Sequence, residues 1–252
     1  MKKKILAIAF AAILAVTAIT GASLAYLQDT DTEDNVFTVG NVEIDLYEEF
    51  DEGLAHLVPA VRNEDNTAWN NAITKKAYVT NTGNDAAYVR VHIAIPSILD
   101  DAQPNFDASK NVLHFNFNMD NVAEGKWSWN KTAEGANYPS AATEWNCYTT
   151  SINNVAYNVY VVTFEASLAK GETTCDAISQ VYLDPTTTNG DIARINATIG
   201  DNWHIYVAAE GVQAAGFKNA DVALDTAFGV PGTYNVAWVG DTTTPNVDTS
   251  KG

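Results

Sequence analysis

Apolar residues recur at every second position in one segment after another of this chain, and that period of two dictates strands. Across residues 86–96, Val89, Val91, Ile93 and Ile95 point one way while Tyr88, Arg90 and His92 point the other, until Pro96 ends the run. Residues 41–48 alternate in the same manner, with Val42, Ile44 and Leu46 on one face. In 112–119 the inward set is Leu113, Phe115, Phe117 and Met119. Further strands are predicted over 74–80, 145–150, 156–167, 178–183 and 203–212, with a short one at 57–61. Turn chemistry separates them, as at Asn81-Thr82-Gly83-Asn84 and Ala169-Lys170-Gly171-Glu172. Residues 130–143 read as a long loop. One segment has the helical period instead. Ala220, Ala223, Leu224, Ala227 and Phe228 share a face, Asn219 can cap the start, and Gly229 and Pro231 stop it. No fixed-period repeat is present. Many short strands with one or two helices in the connections predict an all-β chain, an antiparallel β-sandwich.

The ends read differently. Lys2, Lys3 and Lys4 precede an apolar run of fifteen residues, 5–19, and Ser23 and Ala25 supply a small-x-small site. This is the pattern of a secretory leader cleaved after Ala25. The alternative is a retained anchor, but the run is shorter than the roughly 20 residues that span a bilayer. Residues 26–40 then form an acidic N-terminal segment, 41–240 the sandwich and 241–252 a mobile tail. The formal charge is −17, and loss of the three leader lysines takes it to −20. So acidic a surface excludes a nucleic-acid partner, which needs a basic footprint, and it favours mutual repulsion of monomers that salt would screen. Cys147 and Cys175 can form a disulfide in a secreted protein, worth roughly 3–4 kcal/mol for a loop of that length, or remain two buried thiols.

The stretch A-Y-L-Q-D-T-D-T-x-x-N-x-F-T-V-G-N-V-x-I-D-L, from Ala25 to Leu46, resembles the secreted TasA/camelysin family of Gram-positive bacteria. The segments T-N-T-G-N-D-A-A-Y-V-R-V and A-A-E-G-V-Q-A-A-G-F-x-N-A-D-x-A-L are similar to that family as well. The resemblance implies a jelly-roll sandwich, maturation by a SipW-type signal peptidase, and head-to-tail self-assembly into extracellular matrix fibres, with accessory matrix proteins as further partners. It also implies that the mature N-terminal segment inserts as a strand into the next subunit. The donor residues would be Tyr26, Leu27, Asp29, Thr30, Asp31, Thr32, Asn35, Val36 and Phe37, with Gly40 as a hinge. Taken without the resemblance, residues 26–37 show threonines but no sustained alternation, and read as an acidic terminus.

Catalytic chemistry is not indicated. A zincin helix needs two histidines four apart with a glutamate beside the first. His56, His92, His114 and His204 are scattered, and none is followed by Glu. Neither a Gly-x-Ser-x-Gly elbow nor a Cys-x-x-Cys pair is present, and no phosphate loop or dinucleotide fingerprint calls for a cofactor. Asp29-x-Asp31-x-Glu33-Asp34-Asn35 has calcium-like spacing but lacks the glycine and the final glutamate of an EF-hand loop. Trp127 and Trp129, with Tyr138 and Trp145 nearby in sequence, suit either a sugar-stacking platform or core packing. The expected function is therefore a secreted, non-enzymatic fibre subunit. A camelysin-type metalloprotease and a carbohydrate-binding sandwich are the alternatives.

Overall fold

A computed structural model describes residues 29–31, 42–50, 57–64, 69–99, 112–116, 126–128, 147–200 and 203–239. The leader with Ala25, the donor residues Tyr26, Leu27, Thr32, Asn35, Val36 and Phe37, and the Gly40 hinge lie outside the described residues. So do His56, Phe117, Met119, Trp129, Tyr138, Trp145 and the tail.

Eleven strands and two helices make up the described chain. The strands are β1 (Asp29–Asp31), β2 (Ile44–Phe50), β3 (Val61–Arg62), β4 (Trp69–Asn70), β5 (Ile73–Asn81), β6 (Ala87–Pro96), β7 (Leu113–Asn116), β8 (Cys147–Ile152), β9 (Val155–Thr163), β10 (Ile178–Leu183) and β11 (Tyr206–Gln213). The helices are α1 (Asn189–Ile199) and α2 (Ala220–Ala227). One sheet runs β1-β11-β6-β9-β8 and the other β2-β5-β10-β7, with antiparallel pairing throughout both; β3 and β4 form a separate small hairpin. The chain crosses between the two sheets from β1 to β2, β5 to β6, β6 to β7, β7 to β8, β9 to β10 and β10 to β11. That repeated crossing winds it into an all-β sandwich.

The period of two explains the core. Val89, Val91, Ile93 and Ile95 of β6 meet Ile44, Ala77, Val79, Phe115, Ile178 and Val181 of the opposite sheet in one buried cluster. The short β8–β9 hairpin turns at Asn153 and Asn154, both in the left-handed region at φ 50° and 66°, where asparagine is tolerated and the twist of a two-residue loop requires it. Lys75 and Lys76, awkward in a strand, are accommodated by cross-strand acids: Lys75 reaches Glu48 at 2.5 Å and Lys76 reaches Glu49 at 2.9 Å.

One feature departs from the sequence reading, and at another the structure holds one of the two alternatives left open there. The first is α1, which begins at a capping box: Thr188 accepts from the Asp191 amide, and the Asp191 carboxylate accepts from the Thr188 amide. Only Ile195 of this helix is buried, so no apolar stripe announced it. The second is the absence of a disulfide. Cys147 and Cys175 are half-buried thiols. Cys147 lies in β8, while Cys175 precedes β10 along β5 of the other sheet, where its neighbours Thr174 and Ala177 bond to Val79 and Ala77.

The central strands of the five-stranded sheet, β11, β6 and β9, are buried on both faces over most of their length. The sheet's outer face is covered by α2, through Ala220, Ala223 and Leu224 against Val212, and by the segment 229–239. In that segment Val236 and Trp238 pack on Ala94, Val159, Val161 and Ala208. This cover explains why Arg90 and His92, on the outward side of β6, are 2% and 0% exposed.

Candidate functional site

The first strand lies on the outer edge of the five-stranded sheet. Asp29, Thr30 and Asp31 pair antiparallel with Gly211, Glu210 and Ala209 of β11. On its other side β11 is matched to β6 over its whole length, from Tyr206 opposite Ala94 to Gln213 opposite Ala87. Among the described residues, three of its eight thus carry a partner on the outer side. For Asp29–Asp31, the described part of the donor segment, the strand pairing is made within the chain itself, whereas the sequence resemblance implied a partner in another copy.

At Gly211 the sheets come close together. A Cβ built there would stand 2.8 Å from Ile44 Cγ2, so only glycine lets β11 and β2, a border strand of the other sheet, approach as they do.

Directly behind this edge is a buried polar cluster. Glu210, the register partner of Thr30 on one side, is the register partner of Arg90 on the other. Its carboxylate accepts from Arg90 Nε and from the Tyr234 hydroxyl, at 2.7 and 2.9 Å to its two oxygens. Arg90 also donates to Asp225 at 2.8 Å, to the Gly229 carbonyl at 3.0 Å and to the Tyr234 oxygen at 2.6 Å. Its guanidinium lies near the rings of Phe228 and Tyr234. His92 Nε2 stands 3.1 Å from Glu210 and Nδ1 stands 3.3 Å from the Tyr148 hydroxyl. The arrangement assigns the tautomer in which Nε2–H donates to the carboxylate and Nδ1 accepts from the phenol.

The electrostatics follow from burial and partners. Burial pushes the Glu210 carboxyl up, but the His92 hydrogen bond and the Arg90 charge outweigh it and hold the group below its usual range. Burial lowers His92 below the ordinary imidazole value, only partly opposed by Glu210, so the ring is neutral near pH 7. Burial also raises the phenols of Tyr148 and Tyr234, with the Glu210 charge acting in the same direction. The result is a salt bridge between two side chains each 2% exposed, with every strong donor matched.

The other residues picked out in the sequence are dispersed. Trp127 is fully buried, edge-on to Phe164, and its indole donates to the Cys175 carbonyl at 3.1 Å. It cannot stack on a sugar. His114 bonds to Asp184 at 2.9 Å and stacks on Tyr182, which in turn stacks on Trp69 of the β3–β4 hairpin. His204 is exposed and stacks on Tyr206. Among the described residues no three His, Cys, Asp or Glu side chains converge on a point where a metal could sit. The cluster around Glu210 was not anticipated. Its signal was one arginine, one histidine and one glutamate placed inside the most apolar strands, but only the β6–β11 register shows that they meet.

Compared with known proteins, the chain matches no family model, and no curated protein matches it.

Proposed function

We propose that this chain is a secreted structural subunit that joins copies of itself head to tail by exchanging the strand around Asp29–Asp31. The observation that carries the reading is the pairing of that short segment on the border of β11. An intrachain strand at a border is one that a neighbour can supply instead, with the same main-chain bonds. The three described residues of ladder, at about 1 kcal/mol net per hydrogen bond, contribute on the order of a few kcal/mol, a contact of a size that a neighbour's segment can replace. A donor at one position and an acceptor border at another make a heterologous contact that does not close, and repetition of it gives a filament.

Two further points support the reading. The strong negative charge keeps monomers apart until salt or cations screen it. In addition, the leader-like N-terminus provides a switch, because a segment tethered at a membrane cannot reach a neighbour's border. Gly40 would supply the bend between donor and sandwich, a SipW-type peptidase would release the segment, and the fibres would belong to the extracellular matrix. The carbohydrate-binding alternative loses Trp127 to the core.

The test uses the chain beginning at Tyr26. It should form filaments by negative-stain microscopy on addition of salt, and deletion of residues 26–35 should leave a folded monomer that does not. A labelled peptide of residues 26–37 should bind the truncated protein. Filaments from the truncated chain indistinguishable from those of the longer one would refute strand exchange.

A further inference from the structure

We propose that residues 229–239 form a strap latched over the five-stranded sheet by the Arg90–Glu210–His92–Tyr234 cluster, and that acid releases the strap while the sandwich stays folded. This inference does not depend on the fibre reading.

The strap crosses the sheet without joining it as a strand. It is held instead by Val236 and Trp238 on the apolar strip of Ala94, Val159, Val161 and Ala208, and by two polar ties. One tie is the Tyr234 hydroxyl, which accepts from Arg90 and donates to Glu210; the other is the Gly229 carbonyl, which accepts from Arg90. At Gly232, φ 86°, the strap comes so close to β8 that a Cβ would stand 2.9 Å from that of Tyr148. The strap thus closes the cluster off from water, and the cluster fastens the strap.

The group that senses acid is His92. It is fully buried, and its surroundings come from every element around it: Arg90 from its own strand, Glu210 from β11, Tyr148 from β8 and Tyr234 from the strap, with Asp225 of α2 beyond Arg90. Its cross-strand neighbour in β9 is Val161, which carries no charge. A proton added to the ring would place a second cation beside Arg90, with one carboxylate shared between them and no water to help. With the strap lifted, water reaches the ring and it titrates near its ordinary value of about 6.5.

The sign follows by linkage. His92 holds a proton less readily with the strap closed than with it open. Closure is therefore fully favoured above about pH 6.5 and weakens as pH falls, by up to about tenfold in the open-to-closed ratio per pH unit. Glu210, held ionised when closed, acts in the same direction below about pH 4.5. The phenols, pushed upward, stay neutral throughout.

Hydrogen–deuterium exchange on the full chain tests this, read by mass spectrometry and corrected for intrinsic rates, at about pH 7.5 and about pH 5. Peptides from 229–239 should lose protection at the lower pH by roughly tenfold or more, while peptides from β5 and β6 keep theirs. His92→Gln, which keeps a neutral polar group but cannot titrate, should flatten that pH dependence. Tyr234→Phe retains the packing and removes one tie. It should raise strap exchange at both pH values and keep the slope, and it decides the matter if His92→Gln does not fold. The inference is overturned if strap and strands lose protection together, if the strap is unchanged at low pH, if His92→Gln keeps the original slope, or if Tyr234→Phe leaves strap exchange unaltered.

Discussion

At the scale of single residues, the Arg90–Glu210 pair is the most consequential arrangement. Both side chains are 2% exposed, so removing one partner leaves the other charge without compensation in a dry site. Arg90→Met should therefore cost about 3–5 kcal/mol in urea unfolding, and Glu210→Leu a similar amount. The double variant should cost clearly less than the sum, because two apolar side chains remove both desolvation terms. A cycle with no coupling would show that the two charges do not depend on each other. The sequence made Arg90 and His92 legible as the side of β6 facing away from the core, and that is where they lie. Their burial was not legible, because a period of two distinguishes two faces of a strand without saying what covers the second. Trp127 illustrates the same limit. A tryptophan flanked by polar residues reads equally as a platform or as packing, and only the bridge to Phe164 decides for packing.

At the scale of elements, the strong alternations mark strands where strands occur: β2, β5, β6, β10 and β11 fall within a few residues of the expected bounds. α2 is equally legible, since Asn219 does accept from the Val222 amide at its start and Ala220, Ala223 and Leu224 are its buried face. α1 was missed because its signal is a capping box at its entrance and not an apolar stripe. The resemblance marks the segment around β1 as a strand but assigns its partner to another copy, and three residues carry no periodicity that would point to β11 of the same chain. Cross-linking belongs to this scale as well. With Cys147 and Cys175 on elements of different sheets and both present as thiols, reductant should leave the melting temperature unchanged, and the denatured protein should titrate both sulfurs. A fall of several degrees on reduction would mean that the two are joined.

At the scale of the whole molecule, the two-sheet architecture follows from the number and spacing of the strands, but its winding does not. Nothing in the local pattern says that β6 and β11 become neighbours across more than a hundred residues of chain, although their register assembles the polar cluster. Nor does it say that the C-terminal part of the chain adds a third layer. That layer buries the second face of the central strands β11, β6 and β9.

The missing side chain at Gly211 has a mechanical corollary. Ile44 occupies the space a methyl group would need, and β1 lies beside this close approach, near both β2 and β11. Gly211→Ala should act as a wedge, costing about 1–3 kcal/mol by thermal or urea unfolding and prising the borders apart beneath the first strand. Under the proposed strand exchange, a segment placed there meets β2 and β11 together, so its replacement by a neighbour's would disturb the contact between two sheets as well as one ladder.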